Sequence, residues 1–342
     1  MSAEKMDVLR LYGVGDLRLY SEPIPLPAVG EVLLKISAVG ICGSDLHWFS
    51  EASIGDAQIS KPLVLGHEFS AVVEDTNSAL NGQRVAVDPA IPCQKCEYCL
   101  NGYPNLCSNL HFAGHGVDDG ALCEYLAWPE RNLYPLPDSL NDEEGVLLEP
   151  LGVALHAVEL GLIRPGEAVG IFGVGPIGLM ILQLARLAGA SEILVTDRLE
   201  HRLEAALSMG ATEGLIITDE SDPDQIWQET NGRGVDVAFE VAGDNQAVET
   251  AISAAKPGGR VILVGIPSEN ITTFTASTAR RKGLTIKLSR RMKFSYPRAM
   301  QLVEDGLIDV RSLVTDRYPL SEYEHAFQVA AQREGLKVVI LP

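Results

Sequence analysis

The sequence predicts an α/β protein in which a doubly wound parallel sheet is joined to a β-rich domain. The segment 168–202 reads as strand, glycine turn, helix and strand. Further strand candidates alternate with helical segments, as is typical of a parallel sheet, at 214–217, 235–240, 260–264 and 284–288. Short apolar runs such as 32–36 and 84–87, separated by proline and glycine, predict a compact barrel-like first domain.

Length and charge limit the classes of function. The 342 residues leave room for two domains with separate cores. A formal net charge of −19 argues against nucleic acid or an anionic membrane surface as a partner. No apolar stretch approaches the roughly 20 residues of a spanning helix, and no export-signal pattern is present. We therefore expect a cytoplasmic protein in which the six cysteines serve metal ligation better than three disulfides.

The glycine turn predicts a dinucleotide site. Gly173 would permit the tight turn, Gly175 would let the backbone approach a pyrophosphate, and Gly178 would let helix and strand pack closely. The pyrophosphate would lie at the positive N-terminus of the helix. The turn residues expected at the cofactor are Gly173, Gly175, Pro176, Ile177 and Gly178.

Asp197, at the end of the next strand, favours NAD over NADP. Its carboxylate can accept hydrogen bonds from the adenosine ribose and would repel a 2′-phosphate. Arg198 and Arg202 leave some use of NADP open, because an arginine there could pair with that phosphate. Alternatively, these two arginines flank the adenine or face solvent.

Two polar clusters in the first domain have the composition of a zinc site. One contains Cys42 and the other contains His67 and Glu68. A thiolate and an imidazole from two loops, with a carboxylate beside the imidazole, can hold zinc and leave one position open. Taken singly, Cys42 could be a small buried hydrophobe and His67 a hydrogen-bonded core residue.

Four cysteines on one loop predict a second, structural zinc. Cys93, Cys96, Cys99 and Cys107 would enclose a tetrahedral ion with no position left for substrate. Two disulfides are the alternative, although closely spaced cysteines rarely satisfy disulfide geometry. The remaining thiol, Cys123, is expected in the core.

The C-terminal tail predicts two helices and a strand. A helix over 297–306 would be stopped by Gly306, and a helix over 321–333 would begin with Ser321 as N-cap and Glu324 as its reciprocal acceptor. Residues 337–341 form an apolar run typical of a final strand.

The order of these motifs resembles that of the zinc-dependent medium-chain dehydrogenases over essentially the whole chain. Leu147-Leu148-Glu149-Pro150-Leu151 places a glutamate where ordinary alcohol dehydrogenases have a second ligand cysteine, as in the sorbitol (polyol) dehydrogenase branch. The resemblance implies a discontinuous GroES-like catalytic domain at 1–152 and 286–342. It also implies a Rossmann NAD-binding domain at 153–285 and a homodimer or homotetramer.

The resemblance also assigns roles at the metal. Cys42, His67 and Glu68 would ligate the catalytic zinc together with a water, and Glu149 would hold that water or a substrate hydroxyl. Which of the two glutamates ligates at each step stays open. Otherwise Glu149 is a solvated carboxylate ahead of a proline turn. Ser44 would be first in the proton relay.

Other positions would contact the substrate or continue the relay. His47 would pass the proton outward, or else form a loop hydrogen bond. Trp48 occupies a pocket position where the branch often has tyrosine, and Arg291, six residues before Pro297, would meet the substrate. Arginine near the pocket also suits a sugar acid, because guanidinium matches carboxylate geometry. Alternatively, the neighbouring Arg290 and Lys293 form a basic face exposed to solvent.

The expected reaction is hydride transfer between NAD and a secondary alcohol of a polyol, sugar or sugar acid. Further cofactor contacts are expected at Val241, Val264, Gly265, Ile266, Ser289 and Arg290. Two alternatives stay open: a threonine or other amino-alcohol dehydrogenase of the same fold, and a redox-dead NAD-binding relative.

Overall fold

The computed structural model describes residues 4–218 and 225–342, so the first three residues of the predicted catalytic domain lie outside the described part. The chain forms two compact units. The first comprises Met1–Pro150 and Lys293–Pro342, and the second comprises Leu151–Met292.

The first unit is β-rich. Its strands are β1 (Lys5–Leu11), β2 (Leu17–Pro23), β3 (Glu31–Gly40), β4 (Ser53–Ile54), β5 (Ala57–Gln58), β6 (Leu63–Val64), β7 (Glu68–Val73), β8 (Arg84–Val87), β9 (Ala90–Ile91), β10 (His111–Phe112), β11 (Tyr125–Pro129), β12 (Leu133–Pro135), β19 (Val314–Pro319) and β20 (Lys337–Leu341). Its helices are α1 (Gly43–Glu51), α2 (Glu97–Leu100), α9 (Tyr296–Glu304), α10 (Tyr323–Gln332) and the first part of α3 (Asp142–Gly161).

A seven-stranded sheet forms the centre of this unit. Its order is β12-β8-β7-β3-β20-β19, with β11 also paired to β3. Alternating apolar residues of β3, such as Leu34 and Ile36, point into the core together with Phe69 of β7. The C-terminal strand β20 lies directly beside β3. The last residues of the chain therefore lie in the same sheet as β3, β7 and β8.

The second unit contains the predicted doubly wound sheet. Its strands are β13 (Ala168–Phe172), β14 (Glu192–Asp197), β15 (Glu213–Ile216), β16 (Val235–Glu240), β17 (Ala255–Leu263) and β18 (Thr285–Leu288), and its helices are α4 (Pro176–Leu187), α5 (Glu200–Ser208), α6 (Gln225–Glu229), α7 (Asn245–Ala254) and α8 (Ala276–Lys282). All its strand pairs are parallel, in the order β15-β14-β13-β16-β17-β18. This order is that of a dinucleotide-binding sheet.

Some boundaries differ from the expected ones. The predicted division at residue 285/286 would cut β18, which pairs with β17 and completes the parallel sheet. Gly306 follows the C-cap of α9 and has φ 67°, the left-handed conformation that commonly ends a helix. The predicted N-cap at Ser321 is wrong: Ser321 lies in a 3₁₀ turn, and Glu322 precedes α10. Within the described ranges, no helix combines the length and apolar character needed to cross a bilayer.

Candidate catalytic metal site and dinucleotide turn

Three potential metal ligands meet in the β-rich unit. Cys42 precedes α1, His67 lies in the loop before β7, and Glu68 is the first residue of β7. Their ligand atoms all lie within 4.8 Å of one another. The pairing of β3 with β7, which sets Gly40 opposite Glu68, brings the two segments together. Sulfur, imidazole nitrogen and carboxylate oxygen form a donor set that fits zinc and leaves one position open.

Asp45, to which sequence reasoning assigned no role, holds this group together. Its buried carboxylate accepts hydrogen bonds from the backbone N–H of Cys42 at 2.9 Å and of Gly66 at 3.2 Å. The same carboxylate lies 3.5 Å from His67 Nδ1. Burial alone would raise the pKa of Asp45, but His67 and the two N–H donors outweigh burial and lower it. Asp45 thus orients the imidazole and leaves Nε2 for a metal.

Lys337 was also missed by sequence reasoning. Its Nζ lies 2.5 Å from Glu68 Oε2 and donates to the carbonyl of Ile41 at 3.1 Å. Lys337 is 4% exposed and Glu68 is 1% exposed, so the ion pair is buried. Burial would lower the pKa of Lys337, but Glu68 and Cys42 outweigh it, and the pKa is raised. The only available signal was a charged residue at the start of an apolar strand.

The two predicted relay residues lie on α1. Ser44 Oγ lies 3.3 Å from His67 Nε2, beside the ligand group. His47 Nδ1 lies 3.1 Å from Glu51 Oε1, one helical turn further on. His47 therefore has its hydrogen-bond partner within α1, and not in a loop as the alternative role supposed.

Glu149 is buried within α3 rather than solvated ahead of a turn. It is 4% exposed, and the helix continues through Pro150. Burial raises the pKa of Glu149 to about 7, with His67 and Lys337 acting against the rise and Glu68 adding to it. These three influences place Glu149 in the surroundings of the ligand group. Among the described residues, the set of ligand atoms within 4.8 Å does not include Glu149.

The four cysteines of the loop 93–107 converge as a second group. Their sulfurs all lie within 4.8 Å of one another, and all are unpaired thiols. The backbone N–H of Cys99 lowers the pKa of Cys96 to about 6, while partial burial and neighbouring sulfurs raise that of Cys99 to about 12. Four such thiols are fully ionised together only when a cation compensates them, so the group fits a closed zinc site. Cys123 is 2% exposed, in the core as predicted.

In the second unit, the glycine turn has the predicted form. Gly173 has φ 100°, and a Cβ at Gly178 would collide with its carbonyl oxygen. Gly175 precedes α4, and Pro176 is the first helical residue. Ile177 follows in the same helical turn. The free N–H groups of this helix end and the Cβ-free approach at Gly175 fit a pyrophosphate.

Asp197 is tied to the same turn. Its Oδ2 accepts from the backbone N–H of Val174 at 2.9 Å, and its Oδ1 accepts from that of Leu199 at 3.0 Å. Each carboxylate oxygen keeps a lone pair for a ribose hydroxyl. The guanidinium of Arg202 lies over Gly175, and Arg198 donates to Gln246 Oε1 at 2.7 Å.

The remaining predicted cofactor residues follow the carboxyl ends of three strands. They are Val241 after β16, Val264, Gly265 and Ile266 after β17, and Ser289 and Arg290 after β18. Within the described part of the chain, Ser289 Oγ is buried with no hydrogen-bond partner. A buried hydroxyl of this kind fits a ligand that would complete its hydrogen bonding.

The predicted substrate residues differ in their surroundings. Trp48 is only 1% exposed, and its ring lies 5.4 Å from that of His115 in an edge-on arrangement. Direct contact of Trp48 with a substrate stays a prediction. Arg291 lies in the second unit and has φ 52°, a left-handed conformation rare for a residue with a side chain.

A zinc-type donor set in one unit and a pyrophosphate turn in the other define a zinc-dependent dehydrogenase as the class of protein. Family models agree: an alcohol dehydrogenase GroES-like domain matches residues 28–138, and a zinc-binding dehydrogenase domain matches residues 176–305.

Curated relatives and solved structures match this chain over nearly its whole length. The chain is 36% identical to sorbitol dehydrogenase of Bacillus subtilis, covering 99% of this chain and 98% of that protein. It is 37% identical to human sorbitol dehydrogenase, with 97% and 94% covered. L-idonate 5-dehydrogenase of Escherichia coli superimposes with a TM-score of 0.91 at 29% identity, covering 99% of both chains.

Two further structures contain a cofactor. An alcohol dehydrogenase of Escherichia coli, with a TM-score of 0.90, 29% identity and 99% of both chains covered, was solved with NADH. A zinc-binding dehydrogenase of Sinorhizobium meliloti was solved with NADP, with a TM-score of 0.87, 31% identity, and 99% and 100% covered. This chain belongs to the zinc-dependent medium-chain dehydrogenase family, in its sorbitol dehydrogenase branch. The predicted family and fold class are thus confirmed.

Proposed function

We propose that this protein is an NAD-dependent zinc dehydrogenase that interconverts a secondary alcohol of a polyol, sugar or sugar acid and the corresponding ketone. The observation that carries the proposal is the convergence of Cys42, His67 and Glu68 beside Ser44, with Glu149 buried nearby. The names of the relatives, which include sorbitol and idonate dehydrogenases, support this substrate class.

Each residue near the ligand group has a proposed task. Bound there, zinc would supply a Lewis acid that favours loss of the alcohol proton, and a nicotinamide would accept the hydride. Ser44 would take the proton, since its hydroxyl can both accept and donate. His47 would pass the proton to solvent after turning away from Glu51. Glu149 would accept a hydrogen bond from the substrate hydroxyl or from water.

We propose NAD rather than NADP as the main cofactor. The carboxylate of Asp197 would lie where a 2′-phosphate would have to bind, and like charges repel. The proposal assigns zinc to the four cysteines of the loop 93–107 as a structural ion. A cytoplasmic location, expected from composition, belongs to the same proposal. So does a homodimer or homotetramer, expected from the family resemblance, and light scattering checks this oligomeric state.

Arg291 extends the proposal to sugar acids. Its guanidinium could pair with a substrate carboxylate. We expect aldonates to be turned over with a higher kcat/KM than the matching neutral polyols. Equal or lower values for the acids would rule out this extension while leaving the dehydrogenase proposal intact.

The test is a panel of polyols, sugars, sugar acids and amino alcohols with NAD and with NADP, read by NADH absorbance. We expect at least a tenfold preference for NAD, loss of turnover on chelation, and recovery with zinc. Cys42→Ser should abolish turnover while leaving the Kd for NADH within about twofold of wild type.

Other outcomes of this panel would contradict the proposal. Undiminished turnover by Cys42→Ser would show that the reaction does not depend on a metal bound by Cys42. A preference for threonine would favour the amino-alcohol alternative, and NADH binding without any turnover would favour a redox-dead relative.

A further inference from the structure

Three turns lie against one another along the carboxyl edge of the parallel sheet. A Cβ at Gly173 would come within 2.8 Å of the backbone nitrogen of Ala242. A Cβ at Gly243 would come within 2.5 Å of the carbonyl oxygen of Ile266, and one at Gly265 would collide with the backbone nitrogen of Gly243. The backbones of these turns are in direct contact. A side chain that is hydrogen-bonded to two of the turns can therefore set the distance between them.

Glu240, the last residue of β16, is that group. Its side chain is 1% exposed, and Oε1 accepts a hydrogen bond from the N–H of Gly243 at 2.6 Å. The N–H groups of Ala242 and Gly265 also stabilise the carboxylate. The backbone carbonyl of Glu240 accepts from Val264 at 2.8 Å and from Gly265 at 3.2 Å. Side chain and main chain of one residue therefore connect the turn after β16 to the turn after β17.

The electrostatic setting indicates that this carboxylate has a purpose beyond packing. Burying a carboxylate is costly, and here backbone N–H groups offset part of the cost. The charged neighbour acting on it, Asp244 at the start of α7, opposes ionisation. An apolar residue would avoid this cost, but it could not accept hydrogen bonds from both turns.

We propose that Glu240 is a positioning residue for the nicotinamide half of the cofactor, because its carboxylate sets the spacing of the turns 241–243 and 264–266. This inference rests on the proposed NAD-dependent function. The adenosine half would instead be held by the glycine turn and Asp197, whose hydrogen bonds with Val174 and Leu199 do not involve Glu240. Loss of the carboxylate should therefore weaken NADH binding far more than AMP binding.

The test compares two ligands on two variants. For Glu240→Ala, we expect the Kd for NADH, measured by fluorescence, to rise at least tenfold while the Kd for AMP, measured calorimetrically, changes less than twofold. Glu240→Gln keeps one carbonyl acceptor, so its Kd for NADH should lie between those of wild type and Glu240→Ala. Because Gln has nearly the shape of Glu, replacing a residue that only fills space by Gln would leave the Kd for NADH at the wild-type value.

Asp236→Asn is the matched control. Asp236 is a buried carboxylate at the opposite end of β16, where it pairs with Lys256 and Arg233 and accepts from the backbone N–H of Ala168. This variant should lower the thermal midpoint without changing either Kd. If it weakens NADH binding as much as Glu240→Ala does, the effect is one of general stability and the proposal is wrong.

Failure of the inference is distinguishable from failure of the proposed function. Wild-type protein that does not bind NADH would contradict the proposed function. Wild type that binds NADH, with a Glu240→Ala variant whose Kd lies within twofold of it, would overturn the role of Glu240 alone. If Glu240→Ala does not fold, Glu240→Gln decides, and an unchanged Kd for NADH overturns the proposal.

Discussion

At the residue scale, the buried pair of Lys337 and Glu68 links the C-terminal strand to the metal ligands. Removing one partner of a buried ion pair leaves an uncompensated charge, which typically costs about 3–5 kcal/mol. We expect Lys337→Met to lower the free energy of unfolding of the zinc-free protein by about that amount. The loss should be smaller in zinc-loaded protein, because the ion would supply positive charge beside Glu68. Urea unfolding with and without zinc measures both values.

Lys35→Met provides the control for this prediction. Lys35 is half-exposed, and its Nζ lies 4.0 Å from Glu74 at the surface. Surface pairs of this kind contribute less than about 1 kcal/mol. Equal losses for the two variants would show that the burial of Lys337 has no energetic consequence.

At the element scale, the loop 93–107 contains little regular structure, with one short helix, α2, and one 3₁₀ turn. Its order should therefore depend on the four cysteines and their ion. We expect Cys99→Ser to reduce bound zinc from two ions per chain to one and to lower the thermal midpoint, as judged by elemental analysis and calorimetry. Cys123→Ser, in the core, should retain both ions. Retention of two ions by Cys99→Ser would contradict a metal site on this loop.

The N-terminus of α10 shows where local pattern reasoning fails at this scale. Ser321 and Glu324 have the spacing of a capping box, yet the helix begins at Tyr323. Leu320, 5% exposed, anchors the preceding 3₁₀ turn in the core, and this packing overrides the local capping preference. By contrast, Gly306 ends α9 as predicted, because a positive φ is a local requirement that glycine meets at little cost.

At the scale of the whole molecule, buried carboxyl groups make stability depend on pH. Burial raises the pKa of Asp88 to about 6 and that of Glu240 to about 7. Between these values and the ordinary range near 4, the native state holds protons that the unfolded chain has released. The free energy of unfolding therefore falls as pH rises through this window, and the net charge of −19 acts in the same direction.

We expect the cofactor-free protein to be more stable at pH 6 than at pH 8. Glu240→Gln, which cannot ionise, should reduce that difference by about 1 kcal/mol in urea unfolding. Asp236→Asn should leave the difference unchanged, because the pKa of Asp236 is lowered and lies below this window. An identical pH dependence in wild type and Glu240→Gln would show that Glu240 does not titrate there.

The sequence by itself determined the glycine turn and the four-cysteine group, because each depends on residue spacing within a short segment, and the parallel sheet, because strand and helix patterns alternate along the chain; the ligand trio followed from family resemblance. Only the tertiary structure decided that Asp45 orients His67, that Lys337 pairs with Glu68 across 269 positions, and that Glu240 joins two turns. These contacts arise from strand register and burial. A buried charge is satisfied by whichever group the fold brings beside it, and distance along the chain carries no signal of that partner.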